Sequence, residues 1–267
     1  MKAIVLAAGY GTRMLPITKS IPKEMLPVGN KPVIHYVVQG LAMAGITEII
    51  MIVSGSKEPL EMYFDKNYEL ESLLQSRNKT QELALINQTK SMAKIVFLKQ
   101  LEQKGTGHAI LQAREWISDD FAMVVYGDSI YHPDFFRQAV ATHIQTGKAV
   151  MTLKAVGREE VHKYGVAKID HGYITGIVEK PTRDQAPSNL VNFSPFIIPH
   201  EMFDHLEKTS PDPKSGEVYP WESLQYFMDR NQVVSCVVDA PLWDTGNVEA
   251  RRQANIEWEA IEQCFAS

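Results

Sequence analysis

The residues with the strongest chemical character lie close together near the start of the chain. After the apolar run Lys2 to Ala8 come Gly9, Gly11, Thr12 and Arg13, then Lys19 and Lys23. Glycine lets backbone N–H groups face an anion closely. Arg grips phosphate oxygens bidentately, and Lys adds a mobile point charge. Ligands of open α/β sheets gather at the carboxyl ends of the strands, so this turn suits a polyphosphate. Two common glycine patterns do not fit. The dinucleotide fingerprint needs Gly or Ala where Met14 stands, and the Walker loop needs a closing Gly-Lys-Ser/Thr that the sequence lacks.

Acids and amides at other strand ends form a second set. Asp128 follows the apolar FAMVVYG, where a carboxylate can reach phosphates and share a Mg²⁺ with them. Asp244 sits in LWDTGN. Taken alone, each is equally an ordinary turn cap. Glu179 and Lys180 precede Pro181; Lys can neutralise a sugar phosphate and Glu can accept from sugar hydroxyls, although such a pair is also common on surfaces. Gln100 ends KIVFLKQ, and its amide offers a donor and an acceptor to an imide edge or, more simply, to solvent. None of the eight histidines stands at a metal-ligand spacing from another ligand, and His108 in GTGHAI reads as helix-start structure. Asp119, Asp120, Glu159 and Glu160 read as solvated surface.

The elements that must position these residues alternate. Apolar runs predict strands at Lys2 to Ala8, Glu48 to Ser54, Lys94 to Gln100, Phe121 to Asp128 and Lys148 to Val156. Helical spacing predicts helices over Pro32 to Ala44, Gly107 to Ile117 and Pro133 to Thr146, with helix or loop over Leu60 to Arg77 and Lys79 to Lys90. Val166 to Pro181 predicts an antiparallel hairpin turning at Gly172. Glu201 to Glu207, Pro220 to Arg230 and Glu249 to Cys264 read as helices. The alternation predicts an α/β fold with a mostly parallel, doubly wound sheet and a small antiparallel lobe.

Bulk properties narrow the classes. The chain has 267 residues, 45% hydrophobic and 22% charged, as expected of a globular α/β protein folded as one unit. With 27 Lys plus Arg against 32 Asp plus Glu, the net charge is -5, which argues against a globally basic nucleic-acid binder. Any anionic ligand must be held by a local cluster of positive groups. Cys236 and Cys264 have no pairing or metal spacing and read as reduced thiols. Val37 to Val53 is too interrupted to span a bilayer, and Ala3 to Ala8 is too short for a signal peptide, so a cytoplasmic location without membrane contact is expected.

The loop has a longer pattern. Gly-x-Gly-Thr-Arg-x-x-Pro-x-Thr-x-x-x-Pro-Lys-x-x-x-Pro is filled by Gly9, Gly11, Thr12, Arg13, Pro16, Thr18, Pro22, Lys23 and Pro27. It resembles the signature of the sugar-1-phosphate nucleotidyltransferases. The wording TRMLP-x-TK-x-IPKEMLPV is similar to the bacterial UTP–glucose-1-phosphate uridylyltransferase branch, and AGITEI, YELE, GHAIL, YGV, VEKP and APSNL carry the likeness through most of the chain. The resemblance implies a Rossmann-like nucleotide-diphospho-sugar transferase fold of one domain. Residues 1–130 would be mainly nucleotide-binding, 131–245 mainly sugar-binding, and 246–267 a C-terminal helix. It also implies Arg13, Lys23 and Lys180 as catalytic groups. Ala7, Ala8, Gly9, Gly11, Thr12, Gln100 and Gly105 would bind the nucleotide, and Gly165, Glu179 and Asn189 the sugar. Asp128 and Asp244 would hold Mg²⁺. The implied reaction joins UTP and glucose 1-phosphate to give UDP-glucose and pyrophosphate, and the implied assembly is a homo-oligomer, a dimer or tetramer.

Three stretches depart from the family pattern. Tyr126-Gly127-Asp128 stands where Leu-Pro-Asp is common in the uridylyltransferases. Phe193 to Phe196 replaces Gly-Arg-Tyr, and GEVYPWESL carries Trp221 and Glu222 in place of Thr and Asp. The alternatives are therefore the same chemistry with dTTP or another sugar-1-phosphate, a non-catalytic regulatory paralogue binding nucleotide sugars, and an NAD-dependent oxidoreductase. Met14 disfavours the last. The joint presence of Arg13, Lys23, Asp128, Lys180 and Asp244 disfavours the paralogue.

Overall fold

The first apolar run forms β1 (Lys2–Ala7), and its alternation builds both sides of the core. Ala3, Val5 and Ala7 enter one hydrophobic cluster, Ile4 and Leu6 another, because successive strand side chains point to opposite faces. The computed structural model describes residues 1–55 and 57–266. After β1 come the short strands β2 (Pro27–Val28) and β3 (Lys31–Pro32), α1 (Val33–Met43), β4 (Glu48–Val53), α2 (Glu58–Phe64), α3 (Tyr68–Ser76), α4 (Thr80–Ser91), β5 (Lys94–Lys99) and α5 (Thr106–Leu111). The second half holds β6 (Phe121–Tyr126), β7 (Ser129–Tyr131), α6 (Pro133–Thr146), β8 (Ala149–Ala155), β9 (Gly165–Asp170), β10 (Tyr173–Glu179) and β11 (Leu190–Pro199). The chain continues through α7 (Met202–Lys208), α8 (Pro220–Met228), β12 (Val233–Val237), β13 (Leu242–Asp244), α9 (Val248–Ile256) and α10 (Trp258–Cys264).

Among the described residues, one nine-stranded sheet runs β5-β4-β1-β6-β11-β8-β12-β10-β9. The pairings β5–β4, β4–β1 and β1–β6 are parallel, as the continuous apolar runs predict. Beyond them only β8–β12 is parallel, so the expectation of a mostly parallel sheet does not hold. β11 inserts between β6 and β8 antiparallel to both, and β10 pairs antiparallel with β12 and β9, so the sheet is mixed. The predicted hairpin is β9–β10, but it joins this sheet at its edge.

β11 escaped notice because Pro195 lies inside it, and Pro is disfavoured in a central strand. Its register shifts between Asn192 and Phe196, and side-chain hydroxyls replace the interrupted ladder. Thr152 Oγ1 donates to the carbonyls of Phe193 (3.2 Å) and Pro195 (2.6 Å), while Tyr126 N donates to Ser194 Oγ at 2.9 Å.

Two helices are also divided. The predicted Gly107 to Ile117 helix ends as α5 at Leu111 and resumes as a short 3₁₀ turn at Arg114–Trp116. The predicted C-terminal helix breaks at Glu257, whose carboxylate accepts from Trp243 Nε1 (2.7 Å) and Gln253 Nε2 (2.6 Å). Ala254 and Ile261 then pack into a cluster with Val33, Tyr36 and Trp243. No helix of the described residues is long and apolar enough to cross a membrane.

Candidate active site

At the carboxyl ends of β1, β5 and β6 lies a cavity of about 420 Å³. Its floor starts where β1 runs out into Ala8 and Gly9. Gly11 has φ 68°, a conformation that favours glycine, and a Cβ there would lie 3.0 Å from Thr18 Cγ2. Thr18 Oγ1 donates to Gly11 O at 2.8 Å, folding the loop back through three 3₁₀ turns at Thr12–Met14, Ile17–Lys19 and Lys23–Met25. This return brings the Lys23 ammonium over Gly9, where a Cβ would sit 3.4 Å from Nζ. Lys23 Nζ pairs with Asp128 Oδ2. Burial alone would lower the Lys23 pKa; Asp128, then Glu24, outweigh it and hold the ammonium above its ordinary value.

Beneath the loop, Glu24 and Lys57 form a buried ion pair, Nζ–Oε2 2.6 Å. Burial pushes the Glu24 carboxyl up and the Lys57 ammonium down. The pair anchors the 3₁₀ turn that carries Lys23.

The two sequence-predicted aspartates meet through β7 and β13. Asp244 pairs in register with Ser129, next to Asp128, and both acids line the cavity. Thr245 Oγ1 donates to Asp128 O at 2.7 Å, and Gly246 N donates to Asp244 Oδ1 at 2.7 Å. The Arg13 guanidinium lies over this turn, so a Cβ on Gly246 would be 2.9 Å from Arg13 Nη2. Two hard carboxylates in one anion-ready cavity suit a cation such as Mg²⁺, which completes its shell with phosphate oxygens and water. Among the described residues there is no three-ligand His, Cys, Asp or Glu cluster of the kind zinc needs.

Gln100 forms the opposite wall with Gly105. Gly105 has φ 90°, and a Cβ there would lie 2.7 Å from Val218 O. Gly107 N donates to Val218 O and Val218 N to Lys104 O, both at 2.8 Å, which stitches this wall to the 216–218 segment and brings Glu217 to the cavity.

Of the sequence-predicted residues, Ala8, Gly9, Arg13, Lys23, Gln100, Gly105, Asp128 and Asp244 share the cavity. Ala7 is buried in the core, and Gly11 and Thr12 shape the loop behind it. Gly165, Glu179 and Lys180 form a separate group: Gly165 pairs with Glu179 across β9–β10, and Lys180 N donates to Tyr164 O at 2.9 Å. The Lys180 and Glu179 side chains are exposed, Nζ–Oε1 3.7 Å. Asn189 holds the end of β8, with Nδ2 donating to Val156 O at 3.2 Å. The sequence singles out neither Glu217, which lines the cavity, nor Gly246, which lies against Arg13; the DTGN and GEV turns are visible in it, but only contacts across the fold place them at the site.

The three departures from the family pattern prove to be spatial neighbours. Tyr126 lines the cavity, its ring centroid is 6.2 Å from Phe196, and Phe196 is 5.4 Å from Trp221. They form one aromatic packing unit behind the cavity.

A glycine turn, cations and Asp128 at the carboxyl ends of parallel strands, with Asp244 brought beside them by the β13–β7 ladder, fit a nucleotide-transfer site in an α/β protein. Residues 2–260 match the nucleotidyl transferase family. The chain belongs to that family. It is 36% identical to UTP–glucose-1-phosphate uridylyltransferase 2 of Staphylococcus saprophyticus, over 96% of this chain and 91% of that protein. It is 34% identical to the UTP–glucose-1-phosphate uridylyltransferase of Staphylococcus epidermidis, over the same shares. Among solved structures it resembles UTP-bound UGPase from Acinetobacter baumannii, with TM-score 0.88, 29% identity and coverage of 96% and 92%. A UDP-glucose pyrophosphorylase complexed with UDP-glucose has TM-score 0.84, 32% identity and coverage of 97% and 99%.

Proposed function

We infer that this chain is a UTP–glucose-1-phosphate uridylyltransferase, converting UTP and glucose 1-phosphate to UDP-glucose and pyrophosphate. The observation that carries this reading is the convergence of Arg13, Lys23, Asp128 and Asp244 on one cavity beside Gln100, in a chain alike end to end to uridylyltransferases. The sugar-phosphate oxygen attacks the α-phosphorus of UTP, the new P–O bond forms, and the bond to the β-phosphate bridging oxygen breaks, releasing pyrophosphate. The nucleophile is already anionic, so no general base is required; positioning and charge neutralisation supply the catalysis.

In this reading, Arg13 stabilises the α-phosphate and the leaving pyrophosphate, and Lys23 exchanges its Asp128 partner for the triphosphate. Lys180 neutralises the sugar phosphate, and Glu179, Gly165 and Asn189 belong to the sugar side. Ala7, Ala8, Gly9, Gly11, Thr12, Gln100 and Gly105 form the nucleotide side. Asp128 and Asp244 would hold Mg²⁺, which when bound neutralises phosphate charge. Residues 1–130 would thus serve mainly the nucleotide and 131–245 mainly the sugar, with 246–267 as a C-terminal segment.

We place the protein in the cytoplasm, as a homo-oligomer with no nucleic-acid or membrane partner. The exposed Met62, Tyr68 and Leu85 on α2, α3 and α4 offer apolar area for contacts between copies. In a pyrophosphate-release assay, Asp128→Asn and Lys180→Ala are each expected to lower turnover at least about a hundredfold. Near-wild-type rates in both variants would sink the reading.

A further inference from the structure

We propose that His108 is a positioning residue for base selection: it holds the Gln100 amide so that Oε1, a hydrogen-bond acceptor, is the atom left for the cavity. The proposal rests on the uridylyl-transfer reading and identifies what selects the base in that site.

Gln100 is only 3% exposed, yet it lines the cavity. One atom of its amide faces both the Gly105 carbonyl (3.3 Å) and His108 Nδ1 (2.9 Å). A carbonyl can only accept, so that atom must be the NH₂ nitrogen, and its two hydrogens are both engaged. It follows that His108 Nδ1 carries no proton and accepts, leaving the ring hydrogen on Nε2. Gln112 Nε2 lies 3.3 Å from that second ring nitrogen and 3.2 Å from the His108 carbonyl. A neutral imidazole has one acceptor, so His108 cannot accept from both amides. The Gly105 carbonyl decides in favour of Gln100, and Gln112 keeps its bond to the His108 carbonyl. Burial, then Lys104, holds the His108 pKa below its ordinary value against Glu102, in keeping with a neutral ring.

Among the described residues no protein donor meets Gln100 Oε1. Uracil presents an N3–H that can donate to it. Cytosine presents an unprotonated N3, which would set two acceptors against each other; an acceptor that a bound base covers without pairing makes such mismatches discriminating. Thymine has the same N3–H as uracil, so this contact does not separate UTP from dTTP. Without an acceptor at residue 108, the amide nitrogen loses the shorter of its two bonds and keeps only the 3.3 Å bond to the Gly105 carbonyl, so the amide is held less firmly and the selection weakens.

The test is kcat/KM for UTP and for CTP with glucose 1-phosphate, read as pyrophosphate release. His108→Leu is expected to lower the UTP-to-CTP ratio at least about tenfold, equivalent to ~1.4 kcal/mol. His108→Asn, whose side-chain carbonyl reaches about where Nδ1 sits, is expected to restore most of it. An unchanged ratio in a folded leucine variant overturns the proposal, as does an equal loss for both nucleotides. An asparagine variant as indiscriminate as the leucine one overturns it too. If His108→Leu fails to fold, His108→Phe carries the same expectation. Failure of the wild-type protein to use UTP would instead remove the functional reading itself.

Discussion

Single residues in this site are set by what their neighbours lack. Gly9 leaves room for the Lys23 ammonium, and Gly246 leaves room for the Arg13 guanidinium. Gly246 has an ordinary backbone conformation, so Gly246→Ala should fold normally while its methyl group displaces Arg13. The expected outcome is a fall in kcat/KM of about tenfold to a hundredfold with an unchanged melting temperature. A variant with normal kinetics would show that Arg13 has no fixed place in catalysis. Legibility at this scale followed contiguity. The loop from Gly9 to Lys23 could be read because its groups lie within one stretch of chain. Gly246 and Glu217 could not, because β13–β7 pairing and the Val218 contacts bring them to the site.

At the level of elements, α1 carries two tests. Gly40 faces α6 so closely that a Cβ would overlap the Phe136 ring, and both residues are buried. Gly40→Ala should destabilise the protein by ~1–3 kcal/mol through overpacking, measured by urea denaturation. His35 on the same helix is 4% exposed, and its Nδ1 lies 2.9 Å from the Tyr63 hydroxyl. Burial, then Lys31, brings its pKa from the ordinary 6.5 to about 4, with Glu262 opposing. The depressed value means that the unfolded chain takes up this proton first as pH falls. The stability held above pH 6.5 is therefore lost progressively down to about pH 4, by ~3 kcal/mol at 1.4 kcal/mol per pKa unit. Urea midpoints across this range should slope less steeply in His35→Asn than in the wild type; parallel slopes would rule His35 out as their source. The helix α1 and the strands β1, β4, β5 and β6 were legible because their apolar spacing is strong and local. β11 was not, since Thr152 and Ser194 repair from a distance what Pro195 breaks.

For the whole molecule, a net charge of -5 coexists with a cavity that gathers Arg13 and Lys23. The cavity also holds Asp128, Glu217 and Asp244, so in the proposed reading Arg13, Lys23 and a bound cation together would offset the phosphate charge. In the proposed reading, the mixed sheet would let one fold carry both substrates. Its parallel part presents the Gly9 to Lys23 loop, while β9 carries Gly165 and β10 ends at Glu179, just before Lys180. The aromatic unit Tyr126–Phe196–Trp221 brings departures that are scattered in the sequence together in one packing unit. Purified protein with Mg²⁺ should be assayed for pyrophosphate release across a panel of nucleoside triphosphates and sugar 1-phosphates. UTP with glucose 1-phosphate is expected to give the highest kcat/KM, with UDP-glucose as the product. No release from any pair, or a higher kcat/KM for another pair, would contradict the account.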